Sequence, residues 1–244
     1  MSVLSKIDKT QPAHTRLLLW DFDGTLGYRE GGMWTASLFE VLQREEPGLA
    51  VDIEQLRPYM QRGLPWNEPE CPHPHLSTAD AWWSSVEPLF AEAYRGVGIP
   101  TQRADELSRH FRGVYTNLER WRLFDDTLPT LRTMAEQGWR QAVLSNHVPE
   151  LRGIVAHLSL DGLVERIFNS AETGYEKPHP RAFEIALQAF GPLEQVWMIG
   201  DNFRADVLGA QALGVPGILV RHAHPQAEHF AEDLSQVMNL LPKP

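Results

Sequence analysis

Lysine, cysteine and long apolar runs are all scarce in this chain. It has four lysines against 18 arginines, and Lys177 stands alone between Lys9 and Lys243. Cys71 is its single cysteine, which excludes an intramolecular disulfide. No apolar run approaches the roughly 20 residues that a membrane-spanning helix needs. The polar stretch from Met1 to Thr15 carries no apolar signal region, so a reducing cytoplasm is the expected location. Basic charge is also in deficit: 22 Lys and Arg face 32 Asp and Glu, a formal net charge of −10. That balance argues against nucleic acid or an anionic membrane as a general partner, while a local basic pocket stays open. What remains is an ordinary globular composition, 43% hydrophobic and 22% charged in 244 residues, enough for one α/β unit with an insertion.

The most informative stretch runs from Leu17 to Leu26, Leu-Leu-Leu-Trp-Asp-Phe-Asp-Gly-Thr-Leu. Its apolar start reads as a strand buried on both faces of a parallel sheet, and the two acids fall where that strand emerges. Alternation sends Asp21 and Asp23 to one side and Phe22 into the core. Gly24 permits a sharp exit, and Thr25 can cap a turn. Two acids so spaced suit Mg2+-dependent displacement at phosphorus, one attacking while the other exchanges a proton with the leaving oxygen. A Mg2+ or turn site without catalysis is the plainer alternative.

Three further strand exits carry polar residues. Gln141-Ala-Val-Leu-Ser-Asn146 runs into Pro149 and an amphipathic stretch from Glu150 to Leu160, which places Ser145 and Asn146 beside a helix start. A hydroxyl and free N–H groups there make a phosphate-binding end, although a lone serine is more often a cap. Lys177 precedes Pro178, which holds it in an extended segment before the helical pattern Arg181 to Phe190. Its ammonium can neutralise phosphate oxygens and Asp21 together, the alternative being a surface charge. Gln195 to Gly200 reads as another strand, followed by Asp201 and, five residues on, Asp206. Asp206 alone would pass for an acid in a helix's first turn.

Taken in order, Asp-Phe-Asp-Gly-Thr-Leu, the serine after a strand, Lys-Pro before a helix and Gly-Asp-x4-Asp resemble the four signatures of the haloacid dehalogenase superfamily. The resemblance implies a Rossmann-like α/β core with a five-stranded parallel sheet, an aspartyl-phosphate intermediate and a Mg2+ cofactor. It implies that Asp21 is the nucleophile, Asp23 the general acid and base, and Ser145, Asn146 and Lys177 the phosphate contacts. Mg2+ would be held by Asp21, the Asp23 backbone carbonyl and Asp201, with Asp206 ordering a metal-bound water or bracing the site.

Roughly 115 residues separate the first strand from the second, several times what one crossover needs. Helical periodicity over 34–46, 51–61, 78–97 and 101–122 fills the gap. We therefore expect a core of residues 1–27 and 122–244 and a helical cap of residues 28–121, with hinges near Tyr28 and Phe124. Core strands are expected near 17–20, 141–146, 166–169, 195–199 and 217–220. In the cap, Arg29 and Arg62 can be read as grips for a second anion or as solvated surface. Trp66, Trp82 and Trp83 can be read as a stacking platform, as cap core or as the seam between cap and core. Cys71, His73 and His75 invite a zinc reading, but their spacing offers no fourth ligand. His222, His224 and His229 read as a surface cluster.

The leading expectation is a Mg2+-dependent phosphomonoester hydrolase for a small soluble metabolite. Within the resembled superfamily, dehalogenase chemistry needs neither the second acid nor a metal, yet Asp23 and Asp201 are both present. Phosphonate cleavage needs a cap lysine, and residues 28–121 contain none. A phosphomutase and a non-catalytic phosphate- or partner-binding module stay open, as do monomer and homodimer.

Overall fold

The computed structural model describes residues 15–76 and 78–242. Its centre is a six-stranded sheet, parallel throughout, formed by β1 (Arg16–Trp20), β4 (Arg140–Ser145), β5 (Arg166–Asn169), β6 (Gln195–Gly200), β7 (Gly217–Val220) and β8 (Phe230–Ala231). The spatial order is β5-β4-β1-β6-β7-β8. Five strands match the expected positions. The sixth, β8, is a two-residue edge pairing through Leu219 with Phe230 and Val220 with Ala231, too short to leave a periodic signal in the sequence.

Continuous apolar strands are what this sheet demands. Leu17, Leu18, Leu19 and Trp20 are all fully buried. Alternation divides them: Leu17 and Leu19 pack with Met198, Ala182 and Phe183, whereas Leu18 and Trp20 join Ile199, Leu131, Ile154 and Val155. The first set rests on α7 (Pro180–Gln188), the second on α4 (Thr127–Glu136) and α5 (Leu151–His157). Because β1 is flanked by β4 and β6, and the chain leaves toward β4 and later returns to β6, the carboxyl end of β1 is a switch point that opens a crevice.

The segment between β1 and β4 enters and leaves through an antiparallel ribbon, β2 (Gly27–Arg29) against β3 (Trp121–Leu123). Tyr28 and Phe124, where hinges are expected, stack with ring centroids 4.9 Å apart. Between the ribbon's strands lie α1 (Trp34–Glu45), α2 (Ala79–Gly96) and α3 (Thr101–Tyr115). The pattern expected as one helix over 51–61 is instead two 3-10 turns, Ile53–Gln55 and Arg57–Gln61. Pro58, with no N–H to donate, stands in the first turn of the second. The fourth expected helix ends at Tyr115 rather than near Arg122, because the chain must extend to pair with β2.

Arg29 shows how the helical insertion is knotted to its stem. It is 3% exposed, donates to the carbonyls of Gly32, Val114 and Tyr115, and pairs with Glu40 at 3.0 Å. It is therefore neither a ligand grip nor solvated surface. No described helix is long and apolar enough to cross a membrane.

Candidate active site

Asp21 follows β1 directly, and its N–H donates to Ile199 O on β6 at 2.9 Å, which fixes the acid at the sheet's carboxyl edge. The next turns close on Phe22 O, which accepts from Leu26 N and Gly27 N. Lys177 Nζ reaches Asp21 Oδ1 at 2.8 Å and Asp206 Oδ1 at 2.6 Å, and the lysine is 2% exposed. Burial opposes its charge, but the two carboxylates outweigh burial and raise its pKa.

Asp21, Asp201 and Asp206 each offer a carboxylate oxygen, and these oxygens lie within 4.8 Å of one another. One ammonium cannot neutralise three acids. Burial, with the charges of Asp21 and Asp206, pushes Asp201 up to about 7, and burial pushes Asp206 up to about 6 despite Lys177. A hard divalent cation with an all-oxygen preference fits this surplus of buried negative charge. Asp206 is itself held by Asn202 N, which donates to Oδ2 at 3.0 Å across the π-helical turn Phe203–Leu208.

Two glycines make room for the acids. Gly24 has φ +73, and a Cβ there would lie 2.3 Å from Asp201 Oδ2. At Gly200 a Cβ would fall 2.1 Å from Asp206 Oδ2. The glycines in Asp-Gly-Thr and Gly-Asp are thus spaces for carboxylates contributed by other segments.

Asp23 stands apart from the cluster. Its Oδ2 lies 3.4 Å from Nε2 of His147, a fully buried ring whose Nδ1–H donates to Val148 O at 3.2 Å. Burial would lower the pKa of His147; the nearby Asp23 carboxylate outweighs it and raises the value. His147 is the residue that the sequence reading missed. It follows Ser145-Asn146 in the same motif, but nothing in spacing says that its ring turns back toward the first strand.

Asn146 lines the cavity, yet its side chain is engaged with the backbone of Lys177. Its Oδ1 accepts from Lys177 N at 2.7 Å and its Nδ2 donates to Lys177 O at 2.9 Å. This clamp aims the lysine, a contact absent from the sequence reading. Ser145 is 1% exposed at the end of β4, and its Oγ is buried without a hydrogen-bond partner. Such an orphan costs stability unless a ligand completes it.

The acids, Asn146, His147 and Lys177 open onto a cavity of about 280 Å³, while Ser145 lies beneath its lining. Its floor includes Asp21, Asp23, Asn146, Lys177, Asp201 and Asp206. Trp66 is on the opposite wall, whereas Trp82 is packed inside the helical insertion at 0% exposure and Trp83, 1% exposed, donates its Nε1–H to Glu150 at 3.1 Å across the seam with the core. His73 Nε2 is 3.0 Å from Glu176 Oε1, while Cys71 is exposed, so the loop's histidine serves a buried pair rather than a zinc. Of the other histidines, His224 stacks on Phe203 at 3.9 Å and His229 lies 5.3 Å from Trp197.

The model of haloacid dehalogenase-like hydrolases matches residues 15–214. The chain belongs to that family. Phosphoserine phosphatase of Thermus thermophilus is 33% identical over 66% of this chain and 65% of its own length. Haloacid dehalogenase-like hydrolase domain-containing protein 3 of Mus musculus is 28% identical over 93% of each chain. Among solved structures, YfnB of Bacillus subtilis, described as a HAD-hydrolase bound to magnesium, superposes with a TM-score of 0.68 at 18% identity, covering 93% of this chain and 98% of its own. That likeness shows the shared haloacid dehalogenase-like fold, and the family assignment makes the chain a hydrolase.

Proposed function

We propose that the protein is a Mg2+-dependent phosphomonoesterase that works through an aspartyl-phosphate on Asp21. The observation that carries this reading is the separation of the two first-motif acids. Asp21 is drawn toward Lys177 and the other carboxylates, while Asp23 faces His147, so one acid is set to attack and the other to handle protons. The phosphatase named among the relatives supports the same reading.

An Asp21 carboxylate oxygen forms a bond to phosphorus as the ester P–O bond breaks, and Asp23 delivers a proton to the departing alkoxide. Asp23 then takes a proton from a water that attacks the same phosphorus. The acyl phosphate bond breaks, releasing inorganic phosphate and regenerating the Asp21 carboxylate. Lys177, with the Ser145 hydroxyl and nearby N–H groups, stabilises the equatorial oxygens in both steps. Mg2+, held by Asp21, Asp201 and the Asp23 carbonyl with Asp206 in support, supplies charge neutralisation and orientation of the phosphoryl group. The helical insertion acts as a cap that keeps bulk water from the reacting centre.

The test is release of inorganic phosphate from p-nitrophenyl phosphate with Mg2+, with EDTA and with Asp21→Asn. Turnover confined to the unmodified protein with Mg2+ is expected. A folded protein that turns over equally in EDTA, or after Asp21→Asn, would overturn the reading, and transfer of phosphate between sugar hydroxyls without release would mark a phosphomutase.

A further inference from the structure

The wall facing the carboxylates says what kind of alcohol the phosphate is attached to. Five residues of the insertion form it: Met33, Trp34, Trp66, Pro69 and Tyr115. Trp34 stacks on Tyr115 with centroids 4.4 Å apart and an interplanar angle of 26°, and meets Trp66 at 4.9 Å and 50°. The Tyr115 hydroxyl is occupied with Met33 Sδ at 3.9 Å. All five present carbon, sulfur or ring faces, and none is charged at neutral pH, burial holding the Tyr115 hydroxyl above its ordinary pKa.

The wall is also held in place. Trp66 sits on the turn Pro65–Asn67, which is closed by Leu64 N donating to Asn67 Oδ1 at 3.0 Å. Further along the same loop, His73 N donates to Gly174 O at 2.8 Å and its ring pairs with buried Glu176. A preformed aromatic face loses little on ligand binding.

The insertion's cations are engaged elsewhere. Arg29 is buried among carbonyls and Glu40, Arg57 pairs with Glu54, Arg103 with Glu46, Arg112 with Asp80 and Glu150, and Arg120 with Glu40. None of them lines the cavity, nor does exposed Arg62. The wall holds no acid for an ammonium and no base for a second anion; Arg204, exposed on the core side, is the one guanidinium at the cavity among the described residues. Against this wall an ammonium would surrender hydration without a partner, and a second anion would find one only in Arg204 on the core side, whereas a ring would gain from the wall.

We propose that the preferred substrate is a phosphomonoester of an uncharged alcohol bearing an aromatic ring, which packs on Trp66 and Trp34. This rests on the phosphatase reading above and narrows it. It sets the chain apart in specificity from its phosphoserine phosphatase relative despite their 33% identity.

The test compares benzyl phosphate, n-propyl phosphate and O-phosphoserine, three alkyl esters, in the protein, in Trp66→Ala and in Trp66→Phe. Benzyl phosphate should lead in kcat/KM by about tenfold or more, chiefly through KM. That lead should collapse in Trp66→Ala and return in Trp66→Phe. Phosphoserine matching benzyl phosphate, or a benzyl preference that survives Trp66→Ala, would overturn the proposal while leaving the phosphatase reading intact. Quenching of tryptophan fluorescence by benzylphosphonate and propylphosphonate reads the wall without turnover. Preferential benzylphosphonate binding with no ester hydrolysed would instead keep the aromatic site and remove the phosphatase reading.

Discussion

His73 Nε2 and Glu176 Oε1 meet at 3.0 Å, both nearly inaccessible, and this contact fastens the loop that carries Trp66 to the segment that carries Lys177. Removing the imidazole by His73→Ala strands a buried carboxylate. The expected cost is about 3 kcal/mol in urea unfolding, with Glu176→Gln less severe. At temperatures where His73→Ala stays folded, KM for benzyl phosphate should rise more than kcat falls, because Trp66 loses its anchor while Asp21 keeps its neighbours.

Gly24 and Asp201 predict a sharp local intolerance. Alanine at position 24 must place a methyl where the Asp201 carboxylate lies, on a backbone of φ +73. Displacing that acid by an ångström should lower kcat by on the order of 100-fold. A Gly24→Ala protein with unchanged kcat and Mg2+ requirement would contradict the arrangement.

Magnesium should stabilise the fold. A cation bound only by the native state contributes about 2.7 kcal/mol at a hundred times its dissociation constant. A rise in Tm on adding Mg2+ is expected for the unmodified protein and should be much smaller for Asp201→Asn. Scanning fluorimetry with and without EDTA measures both.

Arg221 carries the clearest pH signature away from the site. Its guanidinium donates to Asp126 Oδ1 at 2.9 Å and Oδ2 at 3.2 Å, Leu234 N donates to Oδ2 at 2.8 Å, and Arg221 also holds Thr25 O. Burial alone would raise the Asp126 pKa, but the Arg221 and Leu234 hydrogen bonds outweigh it and lower the value. A carboxyl lowered in the folded state contributes stability above its unfolded pKa and loses it as pH falls through the folded one. Asp126→Asn should therefore cost about 1 kcal/mol at pH 7 and little in strong acid. Urea midpoints compared across pH would show the two proteins converging toward low pH.

His147 should reveal itself through the leaving group. If its ring orients Asp23 for proton delivery, His147→Asn lowers kcat for alkyl phosphates by about 100-fold. The loss for p-nitrophenyl phosphate, whose leaving group hardly needs the proton, should be far smaller. Equal losses on both esters would assign the ring a packing role only.

Much of this molecule is written in short segments of sequence. Leu17 to Trp20 declare a strand buried on two faces because every residue in it is apolar, and all four are fully buried. Asp21 and Asp201 were legible for one local reason, since each directly follows a strand and the ends of parallel strands gather at one edge, whereas Lys177 stood out by the Lys-Pro pair and Asp206 by its spacing from Asp201. Over 51–61 periodicity suggests one helix, but the chain forms two short turns, the first capped by Asp52 and the second opened by Pro58.

Position in the chain carries no information about where a ring or guanidinium turns. Arg29, next to the first motif, is consumed by carbonyls 85 and 86 residues away. His147 reaches back to Asp23, Asn146 reaches forward to clamp Lys177, and Trp66 reaches the cavity while Trp82 and Trp83 do not. The sequence by itself determined the α/β core, the four motifs and the acid, lysine and serine that each contributes, because hydrophobic alternation and backbone chemistry act over a few residues. Only the tertiary structure decided that the second acid, Asp23, faces His147, and which tryptophans line the cavity. Those outcomes depend on packing between segments tens of residues apart, where burial and charge, rather than spacing, select the contact.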